Sequence, residues 1–263
     1  MAWWGKLLGG AFGFMLGGPL GALLGASLGH QFDSGMRGVA NQARPGAQER
    51  VQAAFFTATF AVMGHVAKAD GRVSREEIKL AEEVMRHMQL DAAQRKLARA
   101  LFNQGKQPGF ALEEILAQFR RECHGRRTLI QFFMEIQAQA ALADGRIAPA
   151  ENAVLMQVAD ALGVAREELR SWMDAMRGAH TQSGRGHERG AGMSLADACR
   201  VLGIRENAPL PEARKAYRRL LGQHHPDKLV AKGLPEEMIK LANEKTHEIR
   251  SAWERVKRAK QSA

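Results

Sequence analysis

The 263-residue chain carries a formal net charge of +10, with 45% hydrophobic and 25% charged residues. That is apolar material enough for one large or two modest cores, and the positive excess favours acidic partners such as nucleic acid, anionic lipid or an acidic protein face. Its two cysteines, Cys123 and Cys199, form no CxxC pair, which argues against a disulfide framework or a cysteine-bound zinc and fits a reducing compartment.

Residues 7–29 contain no charge. As a helix they would extend about 34 Å, more than the roughly 30 Å of a hydrocarbon core. Glycine recurs at every fourth position from Gly5 to Gly29. In water each helical glycine costs about 1 kcal/mol relative to alanine. In lipid a row of GxxxG steps lets two helices approach closely. The pattern predicts a transmembrane helix over 7–29, after a short extracytoplasmic segment at 1–6. Gly9, Gly13, Gly17, Gly21 and Gly25 form its dimer face, making a second copy of the chain and membrane lipid its partners. A cleaved signal peptide would need an A-x-A site, and none follows. Only Lys6 precedes the span, whereas Arg37, Arg44 and Arg50 follow it, so the C-terminal side is expected in the cytoplasm.

After a juxtamembrane segment at 30–48, residues 49–177 show helical spacing and no sustained alternation. Val51, Ala54, Phe55, Ala58, Val62 and Val66 would line one face, Ile78, Ala81, Val84, Met85 and Met88 a second, and Leu129, Phe132, Phe133, Ile136 and Ala140 a third. Two segments match: AKADGRVSREE at 67–77 and ALADGRIAPAE at 141–151. Each reads as a helix end, an Asp-Gly turn and a new helix start, so a repeated helical hairpin is predicted. Gly71 and Gly145 can adopt φ > 0, Ser74 with Glu77 spells a capping box, and Pro149 suits a first helical position. Asp70, Glu77, Asp144 and Glu151 are weak candidates for a metal site. The ladder of oxygen ligands of a calcium loop is missing, and turn and cap chemistry accounts for them. On the paired ADGR(V/I) segments the region resembles the tellurite-resistance protein B (TerB) family, which implies a small interaction or metal-responsive helical domain.

Residues 178–193 are glycine-rich with little to bury and predict a flexible linker. Residues 194–263 then hold fifteen Lys/Arg against nine Asp/Glu. Three helices are expected: Ser194 to Leu202 with Gly203 as stop, about Pro211 to His224, and about Pro235 to Lys257. The second sets Arg214, Lys215, Arg218 and Arg219 opposite an apolar side of Ala213, Tyr217, Leu220 and Leu221. The sequence His225-Pro226-Asp227 follows it. No serine or cysteine nucleophile lies nearby, and His224 and His225 point apart, so neither a catalytic relay nor zinc is expected.

DACRVLGI at 197–204, EARKAYRRL at 212–220, HPD at 225–227 and EIRSAWERV at 248–256 resemble the J domain of DnaJ-type co-chaperones. The order of segments resembles membrane-anchored members of that group. The resemblance implies an all-α protein: an N-terminal transmembrane helix, a TerB-like helical domain with an internal repeat, and a C-terminal J-domain hairpin. It implies a DnaK-type ATPase chaperone as partner, with His225, Pro226 and Asp227 triggering that partner's ATP hydrolysis. Arg214, Lys215, Arg218, Arg219 and Lys228 would dock on its acidic surface. No cofactor, no nucleic acid and no active site of the chain's own are expected, and the location is a bacterial inner membrane. The full-length DnaJ zinc segment, CxxCxGxG, is missing. The rival reading is a membrane-tethered sensor or scaffold whose middle domain binds a ligand or metal.

Overall fold

A computed structural model describes residues 17–29, 46–71, 73, 75–88, 90–143, 145–170, 172–174, 193–235 and 238–261. These residues form helices and connecting turns and no strand. Residues 1–16, 30–45 and 175–192 lie outside the description, and with them Gly9, Gly13 and most of the 178–193 linker.

Helix α1 (Gly18–Gly29) is the C-terminal half of the apolar stretch. Twelve residues give a rise of about 18 Å, too short for a bilayer. Among the described residues no helix is long and apolar enough to cross a membrane. Leu20 and Leu24 are fully buried in the main core. Gln118 holds the start of α1 by its backbone: the Leu20 N–H donates to Oε1 at 2.9 Å, and Nε2 donates to the Gly17 carbonyl at 2.8 Å. Gly21 is buried and Gly25 exposed.

The middle domain is built around α2 (Ala47–Ala67), a helix buried nearly all round. Such a helix is stabilised by its neighbours rather than by an amphipathic stripe. Those neighbours are α4 (Ala92–Gly105), α5 (Leu112–Glu122), α6 (Arg127–Ala141) and α7 (Pro149–Leu162). Phe55 stands at the centre, its ring 6.0 Å from those of Phe119 and Phe133. Helix α3 (Arg75–His87) packs at the edge, which corrects one expectation: Ile78 is 46% exposed while Ala81, Val84, Met85 and Met88 are buried. The helix meets the core along the stripe that starts at Ala81.

Both Asp-Gly turns have the expected form, with Gly71 at φ 90° and Gly145 at φ 82°, a region open to glycine because it lacks Cβ. In the second copy Ala148 is the N-cap, Pro149 follows it, and the Ala148 N–H donates to Glu151 Oε2 at 2.7 Å. Ser74 and the Glu77 side chain lie outside the described residues.

Among the described residues of the C-terminal region there are four helices where three were expected: α8 (Leu195–Leu202), α9 (Leu210–His224), α10 (Pro226–Ala231) and α11 (Ile239–Gln261). Ser194 caps α8 and Gly203 ends it at φ 65°. Ala198, Cys199, Leu202, Ala213, Ile249, Ala252 and Val256 make a small separate core, flanked by the stacked rings of Tyr217 and Trp253 at 5.1 Å.

Candidate functional site

The sequence His225-Pro226-Asp227 forms the corner between α9 and α10. Proline bars helical geometry from the residue before it, so α9 ends at His224 and His225 is extended at φ −62°, ψ 122°. The same ring, with its locked φ and no N–H to satisfy, suits the first position of a helix, so α10 starts at once. The end of the helix at His224 was expected from the sequence; a helix opening at Pro226 was not. The missed signal was Pro226 preceded by a residue whose side chain can cap. His225 Nδ1 accepts the Asp227 N–H at 3.3 Å.

The corner presents its charges outward. The Asp227 side chain is 91% exposed, 3.9 Å from His225 Nδ1. Lys228 is exposed, as are Arg214, Lys215, Arg218 and Arg219 along α9. A cationic helix face and an open carboxylate thus stand together, with the apolar side of α9 turned to α11. The arrangement suits recognition of a surface carrying acids for the helix and a cation for Asp227.

His224 faces the opposite way and is 2% exposed. Its carbonyl accepts from Thr246 Oγ1 at 2.9 Å. Its ring lies edge-on to Phe132 of α6, and Nε2 sits 3.4 Å from Glu135 Oε1. Burial pushes the His224 imidazole down to about 3, with Lys245 adding to the effect. Burial pushes the Glu135 carboxyl up to about 7; Lys245 opposes the rise and Glu248 and Glu168 add to it. The contact therefore joins two groups held towards their neutral forms rather than an ion pair. A cleft of about 580 Å³ follows this seam, with Gln131, Glu135, Trp172, Arg200, Gln223 and Lys245 in its walls.

A carboxyl whose folded pKa lies above its unfolded 4.5 adds stability that is complete below pH 4.5 and is lost as pH rises to about 7. Glu135→Gln is neutral throughout. The variant should gain on the parent by about 1.4 kcal/mol per pH unit across that window, to a ceiling of about 3 kcal/mol. Denaturant melts of both proteins at pH 4.5, 5.5 and 7 measure it. A constant difference would refute the buried carboxyl.

Of the weak metal candidates, Asp144 and the Glu77 side chain are outside the described residues. Glu151 is buried and occupied as a cap. Among the described residues no group of three or more His, Cys, Asp or Glu is placed to hold a metal ion.

Comparison with known proteins covers nearly the whole chain. Residues 56–174 match the family described as tellurite resistance protein TerB, and residues 1–44 the one described as co-chaperone DjlA transmembrane domain. Similar full-length proteins named co-chaperone protein DjlA include those of Photorhabdus laumondii, 43% identical over 99% of both chains, and Shewanella oneidensis, 46% identical over 98% of both. That of Escherichia coli O157:H7 is 42% identical over 99% of both. No solved structure matches the chain.

Proposed function

Since the chain belongs to the DjlA co-chaperone family and itself matches a DjlA transmembrane domain ahead of a TerB domain, we propose that its C-terminal J domain binds a DnaK-type chaperone and accelerates that chaperone's ATP hydrolysis. The observation that carries the reading is the α9–α10 corner, where the open Asp227 carboxylate stands beside an exposed basic helix face. In this reading Arg214, Lys215, Arg218, Arg219 and Lys228 dock on an acidic surface, and His225, Pro226 and Asp227 act on the bound chaperone. The chain supplies no active site of its own. The test is steady-state ATP hydrolysis by a purified DnaK-type chaperone titrated with the full chain in detergent micelles. Saturable stimulation supports the reading, and none at any concentration ends it.

The same reading makes the protein a single-pass inner-membrane dimer, joined through the glycine row, with the bulk of the chain in the cytoplasm; Gly17 and Gly21 can serve that face only when α1 leaves Gln118 and the core that buries Leu20 and Leu24. The basic residues after residue 29 support that orientation. A reporter active only outside the cytoplasm, fused after Ala263, should stay silent; strong activity would reverse the orientation and separate the J domain from a cytoplasmic chaperone.

A further inference from the structure

The J-domain core leaves out a set of its own apolar residues. Leu229, Leu234, Met238 and Ala242 are fully buried, yet they belong to the cluster that fills the TerB-like domain, not to the small core of α8, α9 and α11. Between α10 and α11 the backbone itself touches the other domain. Gly233 is at φ 97°, and a Cβ there would come within 2.7 Å of Val51 Cγ1 on α2. Gln48 Nε2 donates to the Val230 carbonyl at 3.5 Å, and Lys232 Nζ to Thr128 Oγ1 at 2.7 Å. On the other side of the corner, α9 meets α6 through His224, Phe132 and Glu135.

These contacts bracket the corner. His224 is buried before it and Leu229 after it, and both rest on the TerB-like domain. Only residues 225–228 lie between, and none of the four is buried. We propose that the TerB-like domain is a built-in brace for the J domain: α2 and α6 grip the chain on both sides of His225-Pro226-Asp227 and set the geometry of the trigger, while the basic face of α9 stays free for docking. This rests on the co-chaperone reading and adds to it a division of labour. Docking strength belongs to the J domain alone, and the turnover that a docked J domain produces depends on the brace. A misplacement of about 1 Å in a reacting arrangement can lower a rate by about a hundredfold, so a loosened trigger affects the maximum and leaves the binding charges in place.

The test uses the full chain in detergent micelles. Thr128→Cys with Lys232→Cys places two thiols across the seam for a short bismaleimide. The native Cys123 is fully buried, and burial pushes its thiol up to about 12; Cys199 is also buried and raised. Neither competes, and the parent without the new thiols supplies the blank. The expected product is one linker within one chain. The locked protein should stimulate the chaperone as fully as the unlocked double-cysteine protein. Leu234→Asp should reduce the cross-link and lower maximal stimulation by roughly tenfold with the half-saturating concentration unchanged, the pattern of an interaction that acts after binding. Three results would overturn the brace: no cross-link above the blank, a locked chain that loses stimulation, or a Leu234→Asp chain that cross-links poorly and reaches the parent maximum. The locked chain decides even where Leu234→Asp fails to fold. A double-cysteine chain that cross-links and, like the parent, never stimulates removes the co-chaperone reading itself, and the cross-link still reports the seam.

Discussion

On the proposed function, Asp227→Asn should leave the chain folded and lower its maximal stimulation of a DnaK-type chaperone by roughly ten- to a hundredfold. The side chain is 91% exposed, so it has little to give to stability. Asparagine keeps the size, and the Asp227 N–H still has His225 Nδ1 to donate to. What would disappear is the proposed charged hydrogen bond to the chaperone, worth about 1.5–3 kcal/mol in a desolvated complex. Arg218→Ala with Arg219→Ala provides the contrast. Both side chains are exposed, and exposed pairs contribute about 0.2–1 kcal/mol each. That double variant should need a higher concentration to reach the parent maximum and should depend less on salt. Titration of each variant against a fixed amount of chaperone at two salt concentrations separates the two effects. A folded Asp227→Asn chain that matches the parent would remove the trigger from the corner.

Gly64→Ala combined with Gly105→Ala should melt the TerB-like domain roughly 10 °C lower, about 3 kcal/mol at this domain size. Helices α2 and α4 pass with their backbones in contact. A Cβ on Gly64 would run into the Phe102 carbonyl, and one on Gly105 into that of Ala61. The helices must separate or bend, and α2 has no free side to move towards because it is buried all round. His65 Nδ1, 3.2 Å from the Gly105 carbonyl, would shift with them. Helix propensity alone predicts the opposite sign, a gain of about 1 kcal/mol per glycine replaced. Gly222→Ala on α9 is the control: the nearest atom to its new Cβ is Lys228 Nζ at 3.7 Å, so there the propensity gain should appear. Thermal melts followed by circular dichroism decide it, and a double variant as stable as the parent would show that α2 and α4 can part freely.

These residues also mark what the sequence could and could not reveal. The Asp-Gly turns were legible because their chemistry is local: Gly71 and Gly145 terminate helices within a few residues of the partners they need. The corner was legible for the same reason, and so were the exposed charges of α9. Gly64 and Gly105 were not, since each reads as an isolated helical glycine and its partner is about 40 positions away. Helix α10 was missed because six residues show no period, and Leu229 and Leu234 looked like loop residues because their burial comes from another domain. Glu135 did leave a trace. It lies between Phe132, Phe133 and Ile136 on a helix side that should be apolar, and a lone acid in such a stripe points to a contact that periodicity cannot name. The apolar span from 7 to 29 was read by composition; the described half of it, α1, is seated on Gln118, a pairing between segments about 100 residues apart that no local pattern reports.

The seam between the two domains joins parts of one chain, and this sets how it responds to dilution. Eighteen residues, 175–192, connect its halves. A stretch of that length reaches at most about 65 Å even at full extension, and joined surfaces within such a reach meet at effective concentrations of about 1 mM. Two surfaces that as separate molecules would bind at only about 10 µM are then closed about 99% of the time. The closed fraction is the same at a few copies per cell as at thousands. A free competitor that binds the Leu229–Leu234 surface no more tightly than the domain does would have to reach millimolar levels to displace it.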